Sequence, residues 1–297
     1  MARYVTQSER QVPVADECDV LVAGAGPAGI AAAIQLHRYG LRPRIYEYSD
    51  SPGLLKNANL VENYPGFPEG ITGPELFENF RKQLDKFSPD IVKRRVERVV
   101  VDQDRFIIDA GGDAARFKYV VLATGTKPKK LDIPHPKDRV FYEVSAVPDK
   151  IKDILILGGG DAAFDYALNL NSRGKKVSVL CRSREPKCLR LLEQRCQSAG
   201  IEVALGTSLL AVTPTEAGLE LELESGGRVQ TEALLCALGR EPALDMLDED
   251  LCKAINTTQK IPGLYPVGDV VNGLNRQAAI AVGDGLKAAM EIKELIG

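Results

Sequence analysis

Histidine is almost missing from these 297 residues: there are two. His37 falls in a helical stretch and His135 lies between two prolines, so neither joins an acid–base or metal constellation and both read as structural. Cysteine occurs six times (Cys18, Cys181, Cys188, Cys196, Cys236, Cys252) but never as a pair at a metal or redox spacing. No metal site is expected, and reduced structural thiols in a cytoplasm account for all six. An excess of one charge is lacking too: a net −3 with both signs interspersed leaves no footprint for nucleic acid. No apolar run is long enough to span a membrane. Residues 1–17 are polar and charged, so the expectation is a cytoplasmic protein with a loosely attached arm and no targeting signal.

What is present is organised around Asp19-Val-Leu-Val-Ala-Gly24-Ala-Gly26-Pro27-Ala28-Gly29. A short apolar run enters Gly24-x-Gly26-x-x-Gly29 and passes into an alanine-rich amphipathic segment, which predicts strand, tight turn and helix. This is a dinucleotide fingerprint in the context it requires. Gly24 makes the turn, Gly26 admits the pyrophosphate, Gly29 packs helix on strand, and the helix N-terminus takes the anion. Glu47 closes the next strand about 20 residues on, where a carboxylate can hold ribose hydroxyls.

After a long broken loop from Ser51 to Pro68, rich in Pro, Gly and Asn, Pro74 and Glu75 open a helix running to about Phe87. Strands are expected at 91–101, 105–110 and 117–123, the last an unbroken apolar run suited to a buried strand ending in Ala123-Thr124-Gly125. Residues 127–137, rich in Pro and Lys, read as a crossing between domains.

Beyond it, Asp153-Ile-Leu-Ile-Leu-Gly158-Gly-Gly160-Asp161-Ala-Ala163 repeats the opening stretch in one register. Gly24 maps to Gly158, Gly26 to Gly160, Gly29 to Ala163 and Gly40 to Gly174, so a second dinucleotide site is expected. Its second strand runs not into a glutamate but into Arg182-Ser-Arg184, and guanidinium groups suit the 2'-phosphate of NADPH. A helix near 189–199 and strands near 201–203, 219–224 and 233–238 complete this unit. Gly268-Asp269 and a final helix opening at Arg276-Gln277 return to the first site.

These motifs resemble the low-molecular-weight thioredoxin reductases over nearly the whole chain after the arm. Gly-Ala-Gly-Pro-Ala-Gly, Val-Glu-Asn-Tyr-Pro-Gly-Phe-Pro, Ala-Thr-Gly, Gly-Gly-Gly-Asp-Ala-Ala and Gly-Asp with Arg-Gln-Ala stand in that family's order. The resemblance implies an α/β chain of two Rossmann-like three-layer nucleotide-binding domains, the second inserted in the first. FAD would occupy residues 1–129 with 261–297, and NAD(P) residues 130–260. It implies FAD contacts at Gly24, Gly26, Pro27, Ala28, Gly29, Glu47, Asn63, Val96, Ala123, Thr124, Gly125, Asp269, Arg276, Gln277 and Ala278. NADPH or NADH would meet Gly158, Gly160, Asp161, Ala163, Arg182, Lys187 and Arg240, and a homodimer is implied as well.

The departures matter as much. The family's Cys-x-x-Cys falls where this chain has Glu143 and Ala146, and exchange needs an attacking thiolate with a resolving partner. Cys188 and Cys196 do not replace it, because eight residues of helix separate Cα atoms by about 12 Å. His-Arg-Arg-x-x-x-Arg has become Cys181-Arg182-Ser183-x-x-x-Lys187, and Gly-Gly-Gln has become Pro52-Gly53-Leu54-Leu55. The leading expectation is an FAD-dependent oxidoreductase that passes electrons between NAD(P)H and an acceptor other than an internal dithiol, such as ferredoxin or flavodoxin. The flavin carries the chemistry and Glu143 is a candidate proton donor. The alternatives are a disulfide reductase using substrate or partner thiols, and a non-catalytic flavin-binding redox sensor.

Overall fold

The computed structural model describes residues 19–49, 53–257 and 259–297; the expected arm, Cys18, Ser51 and Pro52 lie outside them. The described residues form two compact units, one of 19–49, 83–125, 244–257 and 259–297, the other of 53–82 and 126–243.

Along the chain come β1 (Val20–Ala23), α1 (Pro27–Arg38), β2 (Arg44–Tyr46), α2 (Gly73–Asp85), β3 (Asp90–Val92), β4 (Arg98–Asp102), β5 (Arg105–Ala110), β6 (Asp113–Phe117) and β7 (Tyr119–Leu122). Next are β8 (Thr126–Pro128), β9 (Val140–Phe141), β10 (Asp153–Leu157), α3 (Asp161–Ser172), β11 (Lys176–Cys181), α4 (Arg190–Ser198) and β12 (Glu202–Leu205). There follow β13 (Leu209–Pro214), β14 (Leu219–Leu223), β15 (Arg228–Thr231), β16 (Ala233–Cys236), β17 (Arg240–Pro242), α5 (Glu249–Asn256), β18 (Leu264–Pro266) and α6 (Ala278–Ile296).

Each unit is built on a five-stranded parallel sheet, ordered β18-β7-β1-β2-β3 in the first and β12-β11-β10-β16-β9 in the second. A three-stranded antiparallel sheet accompanies each, β4-β5-β6 and β13-β14-β15. The internal repeat is therefore architectural and extends well past the glycine motifs.

Side-chain alternation sorts the layers. Leu21 and Ala23 join Val99, Phe106, Ile108 and Phe117 in a core between the two sheets, while Val22 faces α1 at Gly29. In the second unit Leu155 and Leu157 pack with Leu219 and Leu221, and Ile154 and Ile156 with Phe164 and Ala167 of α3. Each such fully buried Leu, Ile or Phe contributes roughly 1.5–3 kcal/mol.

Helix ends follow the sequence. Pro27 stands at the first turn of α1, where its missing N–H costs nothing. α1 and α3 close on the same motif: Gly40 N donates to His37 O and Leu41 N to Leu36 O, as Gly174 N does to Asn171 O and Lys175 N to Leu170 O. Gly40 and Gly174 take the positive φ this needs, 79° and 74°. α2 begins with a capping box, Thr72 Oγ1 accepting from Glu75 N and Glu75 Oε2 from Thr72 N.

The expected strand at 91–101 is two strands in different sheets. Lys93, Arg94 and Arg95 in succession cannot sit in a buried parallel strand, so the chain leaves the sheet there, and Arg94 pairs with Asp113. β13, β15 and α5 were not expected from the sequence. β15 carries little apolar pattern, and α5 is announced only by Asp248, whose Oδ1 caps Leu251 N at 2.8 Å. Among the described residues no helix is long and apolar enough to cross a membrane.

α6 lies on α1 so closely that a Cβ on Gly285 would overlap the Ala28 carbonyl, whereas one on Gly283 would meet nothing within 4 Å. Gly285→Ala is expected to destabilise by about 1–3 kcal/mol. Gly283→Ala, two residues away in the same helix, should stabilise by roughly 0.5–1 kcal/mol. Urea unfolding of the two variants reads the contrast, and equal effects would refute the close approach.

Candidate functional site

In the first unit the carboxyl ends of β1, β2, β7 and β18 converge. Strand order reverses between β1 and β7, and a ligand crevice belongs at that switch point. Gly24, with φ 103°, turns there against the backbone of Ala123, whose carbonyl a Cβ would overlap. Gly24 N donates to Tyr46 O at 2.9 Å and Ala123 N to Ala23 O at 2.9 Å, locking the three strand exits. A Cβ on Gly29 would overlap Gly24 O, so the third glycine lets α1 close on the turn.

Gly26, φ −75°, is the N-cap of α1 with Pro27 and Ala28 behind it. Its backbone conformation does not demand glycine, which fits close approach by a bound group. Glu47 is 9% exposed and its carboxylate accepts from Ala25 N at 2.9 Å and Ser49 N at 2.8 Å, presenting an anchored acid at the crevice edge.

Thr124 and Gly125 follow β7, and Asp269 sits in the 3-10 turn Gly268–Val270 after β18. Gln277 is the N-cap of α6, flanked by half-buried Arg276 and by Ala278. Val96 is buried in the core between the sheets beside Tyr46. Asp284 was missed: its Oδ2 accepts from Gly268 N at 3.1 Å and Asn272 Nδ2 at 2.6 Å, fixing the turn that carries Asp269. Its signal was an acid between two glycines after the apolar first turns of the helix.

The second unit reproduces the two backbone bonds that lock the strand exits. Gly158 N donates to Leu180 O at 3.0 Å and Ala237 N to Leu157 O at 2.8 Å, and a Cβ on Gly158 would crowd Ala237 O. Gly160, N-cap of α3 with φ −102°, would have nothing within 4 Å of a Cβ. Neither packing nor backbone requires glycine there, so the open space suits a bound phosphate group. Ala163 is buried where Gly29 stands in the first copy.

The pairing register also corrects the alignment of the second strands. Ala23 pairs with Tyr46 and Leu157 with Leu180, so Glu47 corresponds to Cys181, not to Arg182. Cys181 is buried under Gly159, and Arg182, Arg184 and Lys187 are exposed beyond it.

Residues 53–72 pack within the second unit, with a 3-10 turn at Leu55–Asn57 and a bridge between Val61 and Ile71. Glu143 does not face solvent. Its Oε2 accepts from Asn57 Nδ2 at 2.5 Å and its Oε1 from Arg240 Nη1 at 2.8 Å, while Asn57 Oδ1 accepts from Ser145 N at 3.2 Å. The same guanidinium donates to Thr126 Oγ1 and Thr126 O, tying β17 to β8. Arg240 thus serves this cluster, and Glu143 acts as an acceptor at both oxygens. Asn63 is exposed, and Asn57, 2% exposed, was missed.

The five described cysteines are all free. Cys188 precedes α4 while Cys196 lies in it, so the two do not share a helix as expected. Burial pushes the Cys196 thiol up to about 11 and that of Cys236 to about 12, and raises Cys188 and Cys252 too. None of these four has the lowered value of a reactive thiol. His37 stacks on Phe87 at 5.6 Å, and burial, then Arg42, lowers its pKa; His135 Nδ1 lies 2.5 Å from Ile133 O. Among the described residues no group of three or more His, Cys, Asp or Glu could hold a metal ion.

Two parallel-sheet folds, each with a glycine turn at its switch point, define an oxidoreductase class that binds two dinucleotides. Residues 18–285 match the family model for pyridine nucleotide-disulphide oxidoreductases, and the chain belongs to that family. It is 30% identical over 312 residues to the thioredoxin reductase of Streptomyces clavuligerus, covering 95% of each chain. It is 32% identical over 295 residues to the bifunctional thioredoxin reductase/thioredoxin of Mycobacterium leprae, covering 92% of this chain and 64% of that one. The solved thioredoxin reductase of Lactococcus lactis superposes with a TM-score of 0.85 at 26% identity, covering 94% of this chain and 99% of that one. That of T. acidophilum gives 0.83 at 26%, with the same coverage. The chain is thus a thioredoxin reductase-like enzyme, an FAD-dependent NAD(P)H oxidoreductase.

Asp165 of α3 adds a testable electrostatic feature. Its Oδ2 accepts from Asn59 N at 2.8 Å, and burial, outweighing its bonds to Asn59 and Leu60, raises its pKa from 3.8 to about 6. A raised carboxylate pKa means the native state binds the extra proton, so this group's contribution to stability increases as pH falls from about 6 towards 4. Asp165→Asn should remove that slope: its stability advantage over the native chain should shrink by about 1 kcal/mol from pH 7 to pH 5. Urea unfolding at the two pH values measures it; parallel curves would rule the buried charge out.

Proposed function

We propose that this chain takes two electrons from NAD(P)H at the second crevice and delivers them to a disulfide carried by a partner protein or small substrate. The net reaction is NAD(P)H + H⁺ + RSSR → NAD(P)⁺ + 2 RSH. What supports the proposal is that Glu143, at the position the resemblance gives to a cysteine of the Cys-x-x-Cys, is bonded to Asn57 and Arg240. Relatives that are thioredoxin reductases favour a disulfide acceptor over the ferredoxin or flavodoxin also expected from the sequence. An acidic ferredoxin would need free cations, and those near the domain crossing are partly engaged. Lys127 pairs with Glu241, Lys130 lies over the Tyr142 ring and Arg139 donates to Glu232 O.

In this reading FAD belongs to the expected 1–129 with 261–297 and NAD(P) to 130–260, in a homodimer, although 53–82 and 126–129 pack with the second unit and 244–257 with the first. Gly24, Gly26, Gly29 and Ala28 would cradle the FAD pyrophosphate at the start of α1, and Glu47 would take ribose hydroxyls. Val96, Ala123, Thr124, Gly125, Asp269, Arg276, Gln277 and Ala278 complete the expected contacts within the first unit. Gly158, Gly160 and Ala163 would receive the second pyrophosphate, with Arg182 and Lys187 beside the 2'-phosphate. Bound FAD supplies two-electron chemistry between a hydride donor and a disulfide. The chain's own part is to orient both nucleotides on their helix N-termini and keep Glu143 an acceptor.

Anaerobic NADPH should bleach the bound flavin, and turnover should follow with oxidised thioredoxin or a small disulfide but not with ferredoxin. Glu47→Ala should lose flavin on desalting while the native chain retains it. Failure of either nucleotide to bleach the flavin, or turnover with ferredoxin alone, would overturn the proposal.

A further inference from the structure

The stretch joining β11 to α4 carries the exposed basic residues of the second crevice, and the backbone holds it at three points. Ser183 O accepts from Gly206 N at 3.0 Å, Lys187 N donates to Gly159 O at 2.6 Å, and Leu189 N donates to Asp161 Oδ1 at 2.7 Å. Lys187 also bridges to Gly160, the residue whose surroundings are open.

Only the third tie uses a side chain, and that side chain is unexpected where it stands. Asp161 is the first residue of α3, so a carboxylate aimed at the glycine turn would oppose a phosphate there. Its Oδ1 instead reaches the N-cap of α4, so the charge lies between two helix N-termini, which favours it.

We propose that Asp161 is a positioning residue that sets nucleotide selectivity: by pinning Leu189 it pre-orders residues 182–189, so that Arg182 and Lys187 meet a 2'-phosphate without first being ordered. The inference rests on the reading of this crevice as an NADPH site. Ordering a loop on binding costs affinity, and that cost falls only on the ligand that uses the loop. A nucleotide without the 2'-phosphate, held by the glycine turn, does not depend on the pin.

The test uses the flavin-loaded full chain and isothermal titration with 2',5'-ADP and with 5'-ADP. The native chain should prefer 2',5'-ADP. Asp161→Ala should cut that preference about tenfold, as loss of a charge-assisted hydrogen bond implies, and Leu189→Pro, at a residue outside the expected nucleotide contacts, should keep 5'-ADP affinity within about twofold. Asp161→Asn keeps an acceptor oxygen and should retain most of the preference.

Leu189→Pro deletes the N–H while leaving the Asp161 charge in place. The residue's φ of −57° already suits proline and its side chain is 61% exposed, so this variant serves even where Asp161→Ala fails to fold. It should match the Asp161→Ala loss. Preference unchanged in Leu189→Pro, or tighter binding of both ligands by Asp161→Ala, would overturn the pin while leaving the NADPH reading standing. A native chain that does not distinguish the two ligands would overturn that reading and the pin with it.

Discussion

Two carbonyl oxygens, those of Ala123 and Ala237, fix where each half of this molecule can bind anything. Each lies so near the exit of the neighbouring parallel strand that a side chain at Gly24 or Gly158 would collide with it. The strand exits can therefore approach only if the turn is glycine, and their approach aims the N-terminus of α1 or α3 across the sheet's carboxyl edge. Unpaired N–H groups at such a helix start attract an anion, so the crevice follows from the contact rather than from any particular side chain.

Once that frame is duplicated, the copies are free to differ around it. At one register position the first unit keeps Glu47, anchored by two backbone N–H groups, and the second has buried Cys181. An acid there favours free ribose hydroxyls; an apolar thiol followed by arginine does not oppose a 2'-phosphate. Gly29, which lets α1 close on its turn, has become Ala163, and the start of α3 is looser, with Phe164 N 3.5 Å from Gly160 O against 2.9 Å for Ile30 N to Gly26 O. The two turns thus share their hydrogen bonds to the sheet and differ in what they present to a ligand.

Much of this was legible in the sequence because local chemistry and global fold agree there. Glycines at fixed spacing, apolar runs before them and small residues after them specify strand, turn and helix without long-range information. The expected three-layer, twice-wound α/β plan is what the chain adopts. What could not be read were features decided across long sequence separations. Asn57 is an ordinary loop residue until Glu143, 86 positions on, bonds it; Asp161 and Leu189 meet across 28. The division of 91–101 into two strands needed weight given to three successive cations, and the register of β11, one residue off the motif alignment, required the pairing itself. Short polar strands such as β15 are stabilised by neighbours rather than by pattern.

In the proposed reading the polar cluster at Glu143 takes the position that the resemblance gives to a thiol of the relay. The side chains of Arg240 and Glu143 are only 17% and 24% exposed, and Asn57 is buried. Exchanging the carboxylate for a thiol would remove the acceptor that both the amide and the guanidinium bond, and a buried polar group deprived of its partner costs about 1–3 kcal/mol. Restoring a dithiol would therefore require Asn57 and Arg240 to change as well, and Arg240 also ties β17 to β8. Three residues far apart in the chain thus share one hydrogen-bonded arrangement centred on the Glu143 carboxylate. In the proposed reaction the disulfide belongs to a partner or substrate: the described cysteines are all free, and burial raises the thiols of Cys188, Cys196, Cys236 and Cys252, which disfavours their thiolates.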